Sequence, residues 1–184
     1  MMMRIVMMMM MMVMSSYACP TDWPVLDDFR PSDLVGNWYD VYSTRWFDGH
    51  LATCTEQSVS GINETTVLVH TTTRFLIPEI PALSFKFVNV LKEGSNNIFR
   101  LVPNNTLASS FGHNSTFGIL DWDTDKYVWI VCNGTPEYEI HINSRPDATV
   151  SDEYIQKVNK LIEAHNLDPK NSSWHKESHP SKCK

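Results

Sequence analysis

Among the residues able to do covalent or proton chemistry, four cysteines stand out: Cys19, Cys54, Cys132 and Cys183. An even count spread over the whole length reads as two disulfides in a chain that enters an oxidising compartment. Spacing alone leaves three pairings open, and free buried thiols are the plainer alternative. No two of them form a C-x-x-C, so zinc held by thiolates is not expected. His175 and His179 stand at i, i+4, a spacing that can grip a metal, but they lie in a polar tail with no third ligand near, and no metal site is expected. His70 lies between Val69 and Thr71 in a β-branched run, so its facing is ambiguous. Outward it is an ordinary hydrogen-bonded histidine; inward it is a ligand group. The sequence contains no G-x-S-x-G, H-E-x-x-H, P-loop or G-x-G-x-x-G pattern, which argues against an enzyme and gives no cofactor to expect.

The compartment follows from the first eighteen residues. Arg4 supplies a charged start, Ile5 to Met14 an apolar run, and Ser16-Tyr17-Ala18 a small-x-small cleavage site, the layout of a secretory signal peptide. The apolar run is too short for a membrane span, which needs roughly twenty residues. Cleavage would start the mature chain at Cys19 and remove all ten methionines. The 166 residues left suit a single domain, 19–184, with a barrel over about 34–145, a helix over about 151–165 and a tail at 166–184. Loss of Arg4 moves the formal charge from −6 to −7, a balance that repels nucleic acid and anionic lipid. Five N-x-S/T sequons, at Asn63, Asn104, Asn114, Asn133 and Asn171, agree with a secreted glycoprotein.

The elements that must position these groups read as strands. After an irregular arm rich in Pro and Asp, with Phe29 and Leu34 as its ties to the core, β-type segments recur over 37–45, 53–62, 65–75, 83–91, 97–102, 116–121, 126–132 and 138–144. Short turns such as Gly61-Ile62-Asn63-Glu64 and Gly94-Ser95-Asn96-Asn97 join them, which predicts an all-β, up-and-down antiparallel sheet. Eight strands can close into a barrel without edges and with room inside for one small ligand. Pro78 and Pro81 exclude a strand between the third and fourth segments and predict an apolar loop at the mouth. Beyond Pro146 the period changes. Ser151 is placed to cap a helix, Asp152 and Glu153 favour its first turn, and Tyr154, Val158, Leu161, Ile162 and His165 form an apolar stripe that would pack outside the barrel.

Alternation picks out the interior. Phe85 and Phe87 flank Lys86, Phe99 and Leu101 flank Arg100, and Tyr127, Trp129 and Val131 form a third apolar row. Such an aromatic lining suits a small hydrophobic ligand, with Tyr42 as a polar handle and His70 as a candidate contact. A completely filled core is the alternative.

Three features in order along the mature chain resemble the lipocalin family. They are Gly36-Asn37-Trp38-Tyr39, the turn Trp122-Asp123-Thr124-Asp125-Lys126-Tyr127 leading into Val128-Trp129-Ile130-Val131-Cys132, and Ser144-Arg145 before the helix. The second departs from the family pattern, since Thr124-Asp125 falls two residues later than the better-fitting Asp123. The resemblance implies an eight-stranded antiparallel barrel with one outer C-terminal helix, and Arg145 stacked over Trp38 at a floor entered through Gly36. Cysteine placement resembles the subgroup of apolipoprotein D and the insect bilin-binding proteins, which implies Cys19–Cys132 and Cys54–Cys183. One lipocalin branch is an isomerase through a free cysteine, a role that paired cysteines would rule out. Within this superfamily an inward His70 could ligate haem iron or bond a bilin. The function implied is an extracellular, non-enzymatic carrier of a fatty acid, retinoid, sterol or tetrapyrrole. The alternative is a lipocalin-fold protein with a filled core that binds other proteins. A cell-surface receptor or a weak homo-oligomer completes the set of expected partners, with no nucleic acid and no integral membrane segment.

Overall fold

The computed structural model describes residues 22–44, 52–109, 115–132, 139–167, 173–176 and 183. Its β-branched and aromatic segments form β1 (Gly36–Ser43), β2 (Ala52–Asn63), β3 (Thr66–Phe75), β4 (Leu83–Leu91), β5 (Ile98–Pro103), β6 (Thr116–Trp122), β7 (Lys126–Cys132) and β8 (Glu139–Ser144). Each strand is antiparallel to the next, and β1 pairs with both β8 and β2, so the sheet closes into an eight-stranded up-and-down barrel. The strand ends fall within one or two residues of the expected ones; Arg45 and Tyr138 lie outside the described residues. Two short elements beyond the entering arm were not anticipated. A helical turn, α1 (Thr106–Ser109), follows β5, and a two-residue strand, β9 (His175–Lys176), adds to the outside of β1 opposite Tyr42 and Ser43. Neither is long enough to carry a period that sequence could reveal.

Two apolar clusters share the barrel wall. Inside, Trp38, Val59, Val67, Val69, Phe99, Phe117, Ile119 and Tyr127 pack with Phe29 and Leu34 of the entering arm. Outside, helix α2 (Asp152–Ala164) lays Val158 and Ile162 on Leu120, Val128, Ile130, Ile140 and Ile142. Ser151 caps α2 by accepting the Tyr154 N–H at 3.2 Å, with Asp152 and Glu153 in the first turn. Strands β6 to β8 are thus covered on both faces, unlike the solvent-facing wall opposite.

The arm before β1 seals one end. A 3-10 turn, Pro31–Leu34, ends it, and Asn97 donates to the carbonyl oxygens of Pro24 and Ile119 at 2.8 Å each, tying arm to barrel. Trp23 lies against Gly118 so closely that any side chain there would collide with its ring. At the other end Cys54, near the start of β2, is bonded to Cys183, with Cα atoms 5.3 Å apart. Cys132 is also disulfide-bonded. Cys19, expected as its partner, lies outside the described residues, as do the signal segment, His179 and the sequons Asn114, Asn133 and Asn171. Asn63 and Asn104 are exposed. Among the described residues no helix is long and apolar enough to cross a membrane.

Candidate ligand-binding site

The closed end is built from Trp38. Its indole N–H donates to the Leu34 carbonyl oxygen at 2.7 Å, and its ring meets Tyr127 edge-on, centroids 4.7 Å apart. Arg145, just past β8, places its guanidinium carbon 3.5 Å from the centroid of the Trp38 ring. Its two terminal nitrogens donate to the Asn37 and Val35 carbonyl oxygens at 3.3 and 3.2 Å. Gly36 makes this possible: its φ is +122°, and a Cβ there would strike Arg145 Nη1.

Above this floor the barrel holds a cavity of about 240 Å³. Phe85, Phe87, Leu101, Phe117, Tyr127, Trp129 and Val131 supply its apolar lining, and Phe75 and Leu83 bring it to the mouth. The alternation on β4 and β7 accounts for this: Lys86 of β4 is exposed, and Val128 and Ile130 of β7 are spent on the helix.

One wall is polar. Asp40 of β1 and His141 of β8 are both almost fully buried, with His141 Nδ1 2.6 Å from Asp40 Oδ2. The imidazole lies flat on Trp129, ring centroids 4.1 Å apart and planes 8° from parallel. Its Nε2 has no hydrogen-bond partner; the half-buried Glu139 carboxylate is 3.7 Å away. Burial works against the imidazolium, but Asp40 and then Glu139 outweigh it, and the His141 pKa stands well above its ordinary value. The wall continues downward as a chain of hydrogen bonds. Trp129 donates to Asn143 Oδ1 at 2.7 Å, Asn143 donates to the Tyr127 hydroxyl at 3.1 Å, and that hydroxyl donates to Gln57 Oε1 at 2.8 Å. Burial, reinforced by Asp40, raises the Tyr127 pKa, so the phenol stays a neutral donor. Among the described residues no group of three or more potential ligands could hold a metal ion.

Of the candidate residues, Phe85, Phe87, Leu101, Tyr127 and Trp129 line the cavity. Phe99 is fully buried below it, edge-on to Phe29, and is part of the packed floor. Tyr42 and His70 face outward, a correction to the interior set. A β-bulge between Asp40 and Tyr42 reverses the alternation of β1, so Asp40 pairs with inward Asn143 while Tyr42 pairs with outward Ile142 and lies under Lys176. His70 sits between outward Ser58 and Lys86 in the ladder and bonds Ser84 Oγ at 2.6 Å, leaving Val69 and Thr71 to face in. Conversely, Asp40, Gln57, Glu139 and His141 were not anticipated. The strand Glu139-Ile140-His141-Ile142-Asn143 does alternate, but its apolar residues face the helix and its polar ones the barrel interior, Glu139 and His141 at the cavity, the reverse of a solvent-backed strand.

No protein-family model and no curated protein sequence matches the chain. Its likeness is to solved structures. Per a 4, a major cockroach allergen, superposes with a TM-score of 0.61 at 15% identity over 90% of this chain and 97% of its own. Insecticyanin from the tobacco hornworm Manduca sexta does so with 0.60 at 12% identity, over 88% and 86%, and lobster apocrustacyanin A1 with 0.58 at 16%, over 80% and 78%. The fold is lipocalin-like. In this lipocalin-like barrel the Trp38–Arg145 stack closes one end and the Asp40–His141 wall faces the space above it.

Proposed function

We propose that this chain is a lipocalin that acts as an extracellular, non-enzymatic carrier and sequesters a compact hydrophobic molecule in its barrel. The single observation that carries the reading is the cavity: about 240 Å³, walled mainly by Phe, Tyr, Trp, Leu and Val side chains and closed below by Trp38. That volume lies under the roughly 300–1,000 Å³ of drug-sized sites, so a compact ligand fits better than a tetrapyrrole. The outward His70 gives no haem or bilin contact either. Siderocalin Ex-FABP, described as functioning through dual ligand specificities, has a similar barrel, with a TM-score of 0.54 at 16% identity. The signal-like leader, the Cys54–Cys183 bond and the exposed Asn63 and Asn104 support secretion as a glycoprotein. The alternative, a filled barrel that works through protein binding, is disfavoured by the cavity.

Trp129 lines that cavity and reports on it. Retinol, fatty acids, sterols, haem and biliverdin at micromolar concentration form the test panel, and at least one compact member is expected to quench the emission that Trp129→Phe removes. No change with any member would refute the carrier.

A further inference from the structure

Four strands around the barrel from β8, the inner row of β4 runs Leu83, Phe85, Phe87, Asn89, Leu91, a single polar residue in an apolar series. Asn89 lines the cavity at its deep end, in register between Val67 of β3 and Leu101 of β5. Leu83 at the mouth lies six residues back along the strand, about 20 Å of extended chain. Asn89 is only 2% exposed, and its Oδ1 is buried with no hydrogen-bond partner. Other polar side chains on this cavity are already engaged: Gln57 with Tyr127, Thr55 with Thr73, and Asp40 with His141. A buried carbonyl oxygen without a donor destabilises a fold, whereas an apolar group of the same shape in its place does not. Leucine would suit this apolar row, so folding alone gives no reason for an amide at this depth; a bound molecule does.

We propose that Asn89 recognises the inner end of the cargo and selects an apolar molecule that enters with a hydroxyl group leading. The hydroxyl donates its proton to Asn89 Oδ1, and the apolar remainder lies along Phe87 and Phe85 toward the mouth. An ether oxygen accepts but cannot donate, so it leaves Oδ1 bare. A carboxylate brings negative charge against that oxygen, and among the described residues lining the cavity there is no Lys or Arg to pair with it. An ammonium can donate, but it loses its hydration beside Val69 and Leu101 with no counter-charge from Asn89. The assignment rests on the carrier reading and adds which end of the cargo goes in first and what that end carries.

Two isomers of one formula, 1-decanol and methyl nonyl ether, differ in the donor alone and test it together with decanoic acid and decylamine. Each displaces the fluorophore N-phenyl-1-naphthylamine from the mature protein at pH 7, with the affinity of the fluorophore measured separately for every variant. Decanol is expected to bind about tenfold more tightly than the ether, the equivalent of one net hydrogen bond, and both charged ligands more weakly than decanol. Asn89→Leu is expected to remove the preference for decanol without weakening the ether. The same substitution is expected to hold or raise the urea midpoint of the empty protein, where an amide with a structural role would lower it. Equal affinity for the two isomers in the parent, tightest binding of the acid or amine, a preference that survives Asn89→Leu, or a lower urea midpoint for that variant would each overturn the role of Asn89 while leaving the carrier intact. Failure of the fluorophore and all four ligands to bind the parent would overturn both.

Discussion

The two ends of this barrel are held together by different means. At the closed end side chains interlock: Trp38 is packed on Tyr127, covered by Arg145 and bonded to Leu34, and Arg145 spends its hydrogen bonds on the backbone carbonyls of Asn37 and Val35. At the open end the strands frame a cavity, His141 Nε2 lacks a hydrogen-bond partner, and a covalent link, Cys54–Cys183, ties β2 to the C-terminal tail. A packed end gains stability from burial. A hollow one forgoes part of that burial, and here a cross-link stands beside it.

Breaking the cross-link should have the largest effect. It spans 129 residues, and the chain-entropy model gives about 5 kcal/mol for a loop of that length. Urea midpoints of Cys54→Ser/Cys183→Ser against the parent should show a loss of that order; a loss under about 1 kcal/mol would mean the open end has another source of stability.

At the closed end, Trp38→Ala should cost about 3–5 kcal/mol and Arg145→Ala about 1–3 kcal/mol. Their double-mutant cycle should give a coupling above about 0.5 kcal/mol, as expected for residues in contact. Additivity would separate the two and dissolve the floor.

The smallest effect belongs to that wall. Asp40→Asn should cost about 2 kcal/mol, the scale of a hydrogen bond between charged groups. It should also do so in a pH-dependent way. The His141 pKa is raised in the folded protein, so its contribution is fully present below the unfolded value near 6.5 and is lost as pH rises through the folded value. The stability gap between parent and Asp40→Asn should therefore be widest below about pH 6.5 and narrow in alkali. A gap that widened with pH would show that His141 is neutral in the fold.

The strands, the barrel, the capped outer helix and the aromatic rows on β4 and β7 were legible because each is a periodic pattern, and period 2 or 3.6 is local information. The Gly36, Trp38 and Arg145 floor was legible only through resemblance, since a stack between residues 107 apart leaves no local trace. Tyr42 was misplaced for a reason equally invisible: the bulge after Asp40 depends on how β1 meets β8.

What the sequence determined by itself was which residues alternate, where the chain turns and where a helix begins, because backbone preference and apolar period act within a few residues. Which side of each alternating strand is the inside was decided by the tertiary structure. On β8, Ile140 and Ile142 are drawn outward by Val158 and Ile162 of the helix, and this turns Glu139, His141 and Asn143 into the barrel. The polar wall, and with it the chemistry of the cavity, therefore exists because a helix encoded downstream covers the opposite face of the strand.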